Sequence, residues 1–271
     1  LKMKNKMIMQ ATDLSIVFGG LRAVDKFSFE LYQNELVGLI GPNGAGKTTV
    51  FNMLTGIYTP TEGEISYWDE RSRIHSVGKK QPAVLNKVGI ARTFQNIRLF
   101  NSLSVIDNVK VALHAHRKAN IFDVLLRTGK FRSDEGMIEE KAMQLLSLFK
   151  IADKKNELAK NLPYGEQRKL EIVRALAARP QVLFLDEPAA GMNPQETEEL
   201  MELIAFIRKE FDLTILLIEH DMKLVMGICE RLIVLDYGKI IARGLPEEIK
   251  KDPQVIKAYL GEEALDHVES E

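Results

Sequence analysis

Apolar and polar residues alternate through the opening stretch, with Ile16 and Phe18 before a Gly19-Gly20 break and Phe27, Phe29 and Leu31 after it. Alternation at every second position buries one face of a strand, and the paired glycines supply a turn. Met7 to Glu30 therefore reads as antiparallel hairpins. The pattern then changes to continuous apolar runs: Glu35 to Ile40 (ELVGLI), Val182 to Asp186 (VLFLD) and Thr214 to Ile218 (TILLI). Such runs leave no polar face, as strands buried on both sides of a parallel sheet require. Between the last two, Glu196 to Arg208 repeats with helical period.

From about Ser104 to Asn161 the chain is helical and charged. Ser104 with Asp107 offers a capping box, Val105, Val109 and Ala112 share one face, and Ile138 to Phe149 forms a second amphipathic run. The order predicts an α/β fold with an N-terminal antiparallel β subdomain, a parallel core and an inserted helical subdomain. The expected boundaries are 1–96 and 165–245 for the core with its β subdomain, 97–164 for the helical subdomain and 246–271 for a helical extension, of which Asp266 to Glu271 reads as a frayed polar tail.

Composition narrows the function classes. The 271 residues suffice for one large α/β domain and leave no room for a second complete unit of this kind. Lys and Arg number 37 against 38 Asp and Glu, so bulk charge selects no polyanion and no nucleic-acid partner is expected. Cys229 is the only cysteine, which excludes an internal disulfide and reads as an ordinary buried thiol suited to a reducing compartment. The opening LKMKNKMIMQ lacks the apolar core of a secretory signal, and no run reaches the roughly 18 apolar residues of a membrane span. Any service to a membrane is expected from the water side.

The candidate chemistry begins at Gly41, Pro42, Asn43, Gly44, Ala45, Gly46, Lys47 and Thr48, a GxxxxGK[ST] stretch between the ELVGLI strand and a helix opening at Thr49. That context is what a phosphate-binding loop needs. Glycines let the backbone curl around phosphates, amides and the positive helix end face the anion, Lys47 reaches the β and γ oxygens, and the Thr48 hydroxyl can hold Mg²⁺. The VLFLD strand delivers Asp186 toward the Mg²⁺ shell and Glu187 toward the attacking water; the competing reading is a solvated pair of strand-end acids. Gly165 opens a helix striped by Leu170, Val173, Leu176 and Ala177, so its first amides can face another anion. His220 follows a second apolar run in the same manner, although a lone histidine is more often structural.

The loop, Gln95 within RTFQN, the segment LPYGEQRKLEIVRAL, the LDEP strand, AAGMN and IEHD occur in an order that resembles the ATP-binding subunits of ABC transporters, and the resemblance covers nearly the whole chain. AAGMNP, IEHDMKLVMGICERLIVLDYGKIIARG and the ending PEEIKKDPQVIKAYLGEE are similar to the larger ATPase subunit of branched-chain amino acid importers. The resemblance implies the P-loop core of an ABC ATPase that hydrolyses ATP with Mg²⁺. It gives Glu187 the base or water-orienting role, Lys47 charge stabilisation, His220 the γ-phosphate and the water, and Gln95 a hinge position touching Mg²⁺ or the water alongside Thr48 and Asp186. Phe18 would stack on adenine, its rival reading being a core side chain. Tyr164, Gly165 and Glu166 would meet the γ-phosphate held by an opposite subunit.

The implied working unit is an ATP-dependent head-to-tail dimer of this chain with itself or a homologous ATPase subunit. It would sit peripherally on the cytoplasmic face of the membrane, on transmembrane permease subunits, and serve a solute-binding protein indirectly. Rival readings are an ATPase of lipopolysaccharide export, a soluble ABC ATPase of DNA repair or translation, and a binding module with a dead site. The soluble reading favours a long coiled-coil insertion or paired ATPase units, and the dead-site reading conflicts with Lys47, Asp186, Glu187 and His220. Two positions depart from the wider pattern. LPYGE replaces LSGGQ, so Pro163 removes a hydroxyl, and Asn193 stands where Asp is common. His114 and His116, two apart, would point to different faces of a helix rather than share a metal, and Lys79-Lys80, Lys154-Lys155 and Lys250-Lys251 read as solvated faces.

Overall fold

The structure, a computed structural model, describes residues 6–114 and 129–260. His116 and the 266–271 tail lie outside them. The chain divides into two compact units, residues 1–92 with 181–271 and residues 93–180. The first opens with β1 (Met7–Phe18), β2 (Leu21–Tyr32), β3 (Leu36–Ile40), α1 (Lys47–Leu54), β4 (Glu62–Trp68), β5 (Ile74–Ser76), α2 (Pro82–Lys87) and β6 (Ile90–Arg92). The second unit holds α3 (Val105–His114), α4 (Gly129–Leu148) and α5 (Tyr164–Ala177). The first then resumes with β7 (Val182–Asp186), α6 (Pro194–Glu210), β8 (Thr214–Ile218), α7 (Met222–Ile228), β9 (Arg231–Asp236), β10 (Lys239–Gly244), α8 (Pro246–Ile249) and α9 (Pro253–Leu260).

The continuous apolar runs form the middle of a six-stranded sheet ordered β10-β9-β3-β8-β7-β6. Every residue of β3, β7 and β8 is buried, which explains why their sequences lack alternation. Parallel pairing sets Leu39 beside Ile218 and Ile218 beside Asp186. The three strands therefore end level, and the segments that follow Ile40, Asp186 and Ile218 emerge on one edge, where open α/β sheets carry their sites. Helix α1 buries Val50, Phe51, Met53 and Leu54, and the Phe51 ring meets Phe184 of β7 edge-on at 5.2 Å between centroids.

The antiparallel sheet is larger than the opening pattern predicts. Its order is β2-β1-β4-β5, so two strands that follow the Gly41–Gly46 loop return to this sheet, β4 pairing with β1 and β5 with β4. Ile65 and Tyr67 of β4 are buried between partly exposed neighbours, and this short alternation is easily missed in a Gly- and Glu-rich stretch.

In the helical unit, Val105 and Val109 of α3, Ile138, Ala142 and Leu146 of α4, and Leu170 and Val173 of α5 are buried. Helix α5 belongs to this unit, so its limits are 93 and 180, wider than 97–164. Ser104 accepts the Asp107 amide at 3.2 Å, while its hydroxyl donates to the Asp107 carboxylate at 2.6 Å. The shorter Asp bonds the hydroxyl where a Glu of a full capping box reaches the backbone.

Candidate functional site

The loop from Gly41 to Gly46 joins β3 to α1. Gly41 has φ 149°, and a Cβ there would meet the Leu235 carbonyl oxygen at 2.1 Å, so only glycine lets the loop leave the sheet beside β9. Gly46 caps α1 at φ 100°, a left-handed conformation that L side chains avoid. Lys47 Nζ donates to the Gly41 carbonyl at 2.7 Å and the Pro42 carbonyl at 2.9 Å, folding its ammonium into the loop. Burial lowers the Lys47 pKa, and the Glu187 carboxylate opposes that shift. Thr48 is exposed and Thr49 half-buried in the first turn of α1, which contains no acid to compete with an anion.

Asp186, 3% exposed at the end of β7, is paired with Arg92 of β6 at 2.6 Å. The same guanidinium donates to Asn52 Oδ1 at 2.7 Å and Thr55 Oγ1 at 2.9 Å, both on or capping α1, and lies 5.2 Å from the Phe51 ring centre. Arg92 thus ties the phosphate-loop helix to the β7 carboxylate, a role that its place in RTFQN does not announce. Replacing Arg92 with Met would leave a buried carboxylate without its cation, and we expect a loss of about 3–5 kcal/mol in stability, measurable as a lower urea midpoint. An unchanged midpoint would show that Asp186 does not need this partner.

Glu187 sits at φ 44°, uncommon for a residue with a Cβ and typical of strained functional positions. Its amide donates to the Ile218 carbonyl at 2.9 Å. His220 Nδ1 lies 3.8 Å from Glu187 Oε2 and 3.8 Å from Glu219 Oε2, with the imidazole largely exposed. Glu219 itself is 1% exposed and accepts amides from Ala189 at 2.8 Å, His220 at 3.1 Å and Asp221 at 3.4 Å. Burial raises its pKa against those hydrogen bonds. Glu219 therefore stitches the segment after β7 to the segment after β8. The signal in the sequence is a carboxylate continuing an apolar strand without a break.

Phe18, 44% exposed at the end of β1, meets Tyr58 edge-on at 5.4 Å, so it is not a core side chain. Asn193 caps α6: its side chain accepts the Glu196 amide at 2.9 Å, and Glu196 returns a bond to the Asn193 amide at 3.0 Å. Asn performs this as well as Asp, which accounts for the departure at 193. Cys229 is buried and its thiol is pushed up to about 12.

In the helical unit, Pro163 caps α5 with φ −53° and ψ 152°, and Tyr164, Gly165 and Glu166 form its first turn. Tyr164 is exposed and Glu166 pairs with Lys154 at 2.6 Å. Lys154 is therefore a partner of that turn and not simply a solvated face. Lys80 likewise contacts His75 Nδ1 at 3.0 Å, and His114 contacts Glu135 at 3.3 Å. The Gln95 carbonyl accepts from Arg168 Nη2 at 2.8 Å.

The model of the ABC transporter family matches residues 24–190. The chain belongs to that family. A second model, of branched-chain amino acid ATP-binding cassette transporters, matches residues 239–264. This ABC ATPase is 48% identical over 255 residues to the high-affinity branched-chain amino acid transport ATP-binding protein LivG of Escherichia coli (strain K12), covering 94% of this chain and 98% of that one. It is 44% identical over 261 residues to BraF of Pseudomonas aeruginosa, described in the same words, covering 95% and 99%. Among solved structures it resembles an ATP-binding cassette of an ABC transporter in its ADP conformation, with TM-score 0.80, 28% identity, and coverage of 95% of this chain and 100% of that one. The chain is thus an ATP-binding, ATP-hydrolysing subunit that powers transport, and among its described residues no helix is long and apolar enough to cross a membrane.

Proposed function

We propose that this ATPase drives uptake of branched-chain amino acids through separate transmembrane subunits, from the cytoplasmic face of the membrane, with a solute-binding protein delivering the cargo. The observation that carries the reading is the likeness to LivG along nearly the whole chain, joined to the match of the branched-chain amino acid transporter model at 239–264. The higher identity to LivG, 48% against 33% to the lipopolysaccharide export ATP-binding protein LptB of Haemophilus influenzae, favours uptake over lipopolysaccharide export.

The loop amides from Gly41 to Lys47 and the α1 N-terminus hold the β- and γ-phosphates, and Lys47 exchanges its loop carbonyls for phosphate oxygens. Phe18 stacks on the adenine. Glu187 accepts a proton from, or orients, the attacking water, and His220 holds the γ-phosphate and water in line. Mg²⁺ fits the donors present: the exposed Thr48 hydroxyl and the Asp186 carboxylate are hard oxygen ligands, and the family resemblance gives Gln95 the role of touching the ion or the attacking water. When bound, the ion neutralises charge on the phosphates. The turn at Tyr164, Gly165 and Glu166 meets the γ-phosphate of an opposite subunit, making an ATP-dependent head-to-tail pair of this chain with itself or a homologous subunit.

The test is co-purification from its own cell membranes, followed by reconstitution with the recovered transmembrane subunits and solute-binding protein. ATP-dependent accumulation of labelled leucine in vesicles is the expected result. Transport of an unrelated solute, with no competition from leucine, isoleucine or valine, would reject the cargo assignment while leaving the ATPase reading intact.

A further inference from the structure

Arg168 is the largest fully buried side chain described, with 0% of its surface exposed, although it stands in the charged helix α5. A guanidinium in such a place is costly unless its donors are matched. Nη1 donates to the Phe94 carbonyl at 2.7 Å and to Glu171 Oε2 at 2.8 Å. Nη2 donates to the Gln95 carbonyl at 2.8 Å and to the Tyr164 hydroxyl at 3.2 Å. Glu171, 5% exposed, turns its other oxygen to the amides of Phe94 and Arg98, each at 3.3 Å. One turn further on, Arg174 donates to the Arg98 carbonyl and lies over the Phe100 ring at 4.7 Å.

The residues at 168, 171 and 174 recur every third position, so they share one face of α5. That face grips the backbone of 94–98 rather than a hydrophobic surface. The chemistry is specific to what is gripped. Arg168 presents its fork to successive carbonyls, of which one belongs to Gln95, and the same fork reaches the tyrosine of the first turn of α5. A hydrophobic residue of equal volume would fill the space but take the guanidinium away from these carbonyls and from Glu171 Oε2.

We infer that Arg168, supported by Glu171, is a positioning residue for ATP hydrolysis: it fastens the 94–98 backbone to the first turn of α5, so that Gln95 and Tyr164-Gly165-Glu166 are carried as one body. A displacement of either segment is passed to the other through the Arg168 guanidinium. The inference rests on the reading of Gln95 given above, because only a functional Gln95 makes its backbone anchor matter to the rate.

The experiment measures kcat, KM and binding of a fluorescent ATP analogue for the full chain carrying Arg168→Lys, Gln95→Ala and both. Lysine keeps the charge but lacks the fork. Arg168→Lys should lower kcat by about 10- to 100-fold, the scale of a small misplacement at a reacting centre. Analogue affinity, which depends on the phosphate loop of the other unit, should change by less than about threefold. Adding Arg168→Lys to Gln95→Ala should cost nothing further, since the anchor acts through Gln95. Multiplicative effects in the double variant, or an undiminished kcat in Arg168→Lys, overturn the inference. A wild-type rate in Gln95→Ala instead refutes the role of Gln95 itself, and the inference falls with it. Hydrogen exchange separates positioning from unfolding. Faster exchange confined to peptides spanning 94–98 and 164–168 is expected, with β7 and β8 unchanged. Should Arg168→Lys loosen β7 and β8 as well, the isosteric Glu171→Gln decides: a reduced kcat with intact strands supports the inference, and a normal kcat rejects it.

Discussion

Glu187→Gln leaves ATP binding intact and lowers turnover by about 10²–10⁴, the usual worth of a positioned acid or base. The amide preserves the shape of the side chain but cannot accept the proton of the attacking water. Its surroundings make the substitution clean. The φ of 44° and the hydrogen bond that the residue's backbone amide donates to the Ile218 carbonyl are backbone features that glutamine keeps, and His220 Nδ1 at 3.8 Å meets an amide oxygen as readily as a carboxylate. Lys47 loses the carboxylate that opposes its burial shift, so its pKa moves further down, but its bonds to the Gly41 and Pro42 carbonyls do not involve Glu187. Steady-state hydrolysis gives the rate, and gel filtration with MgATP should show a persistent pair, because the bridge between subunits is no longer removed. A variant that turns over like the wild type would exclude Glu187 from the chemistry and leave His220 or Glu219 as the group to test.

Gly165→Asp abolishes ATP-driven pairing, whereas Pro163→Ser changes it by about tenfold or less. The first places an anion in the helix turn that is proposed to meet the γ-phosphate. An acid near a helix N-terminus is favourable by about 0.3–1 kcal/mol, so α5 itself should be at least as stable in the variant. Loss of pairing without loss of helix is therefore the specific signature, and Gly165→Ala serves as the uncharged control. Pro163 acts differently. It stands at φ −53° and ψ 152°, already set for the helix entrance, so serine adds at most one hydrogen bond to a charged group, about 1.5–3 kcal/mol, and gives up part of that in lost preorganisation. The measurement is the ATP concentration at half-maximal dimerisation in a Glu187→Gln background, where hydrolysis does not dissolve the pair. Pairing by Gly165→Asp at the parent's ATP concentration would remove this turn from the shared site. Pairing that appears only once Pro163 is replaced by serine would mean that the parent's own turn is defective and that a different ATPase subunit completes the transporter.

The glycine-rich loop, the apolar strands with their terminal acids and the helical character of the insertion are legible in the chain of residues alone. Each of these is written in contiguous residues: a turn that needs glycine at Gly41 and Gly46, a strand buried at every position of VLFLD and apolar up to its terminal Asp186, a helix whose buried residues recur as Ile138, Ala142 and Leu146 do. Asn193 was legible as a departure from the family pattern, and its structural role is also local, since a cap and its partner lie three residues apart. Other roles are assigned by long-range partners that only folding brings together. Arg92 reads as one more cation until it reaches Asp186, 94 positions away, and Glu219 reads as the end of a strand until the Ala189 amide, 30 positions back, closes on it. Arg168 looks like a surface residue of a charged helix, yet its carbonyl partner at Phe94 is 74 positions upstream and draws it wholly out of water. A polar side chain carries no mark of where its hydrogen bonds will be met: burial imposes the need for partners, and only the folded chain brings those partners within reach.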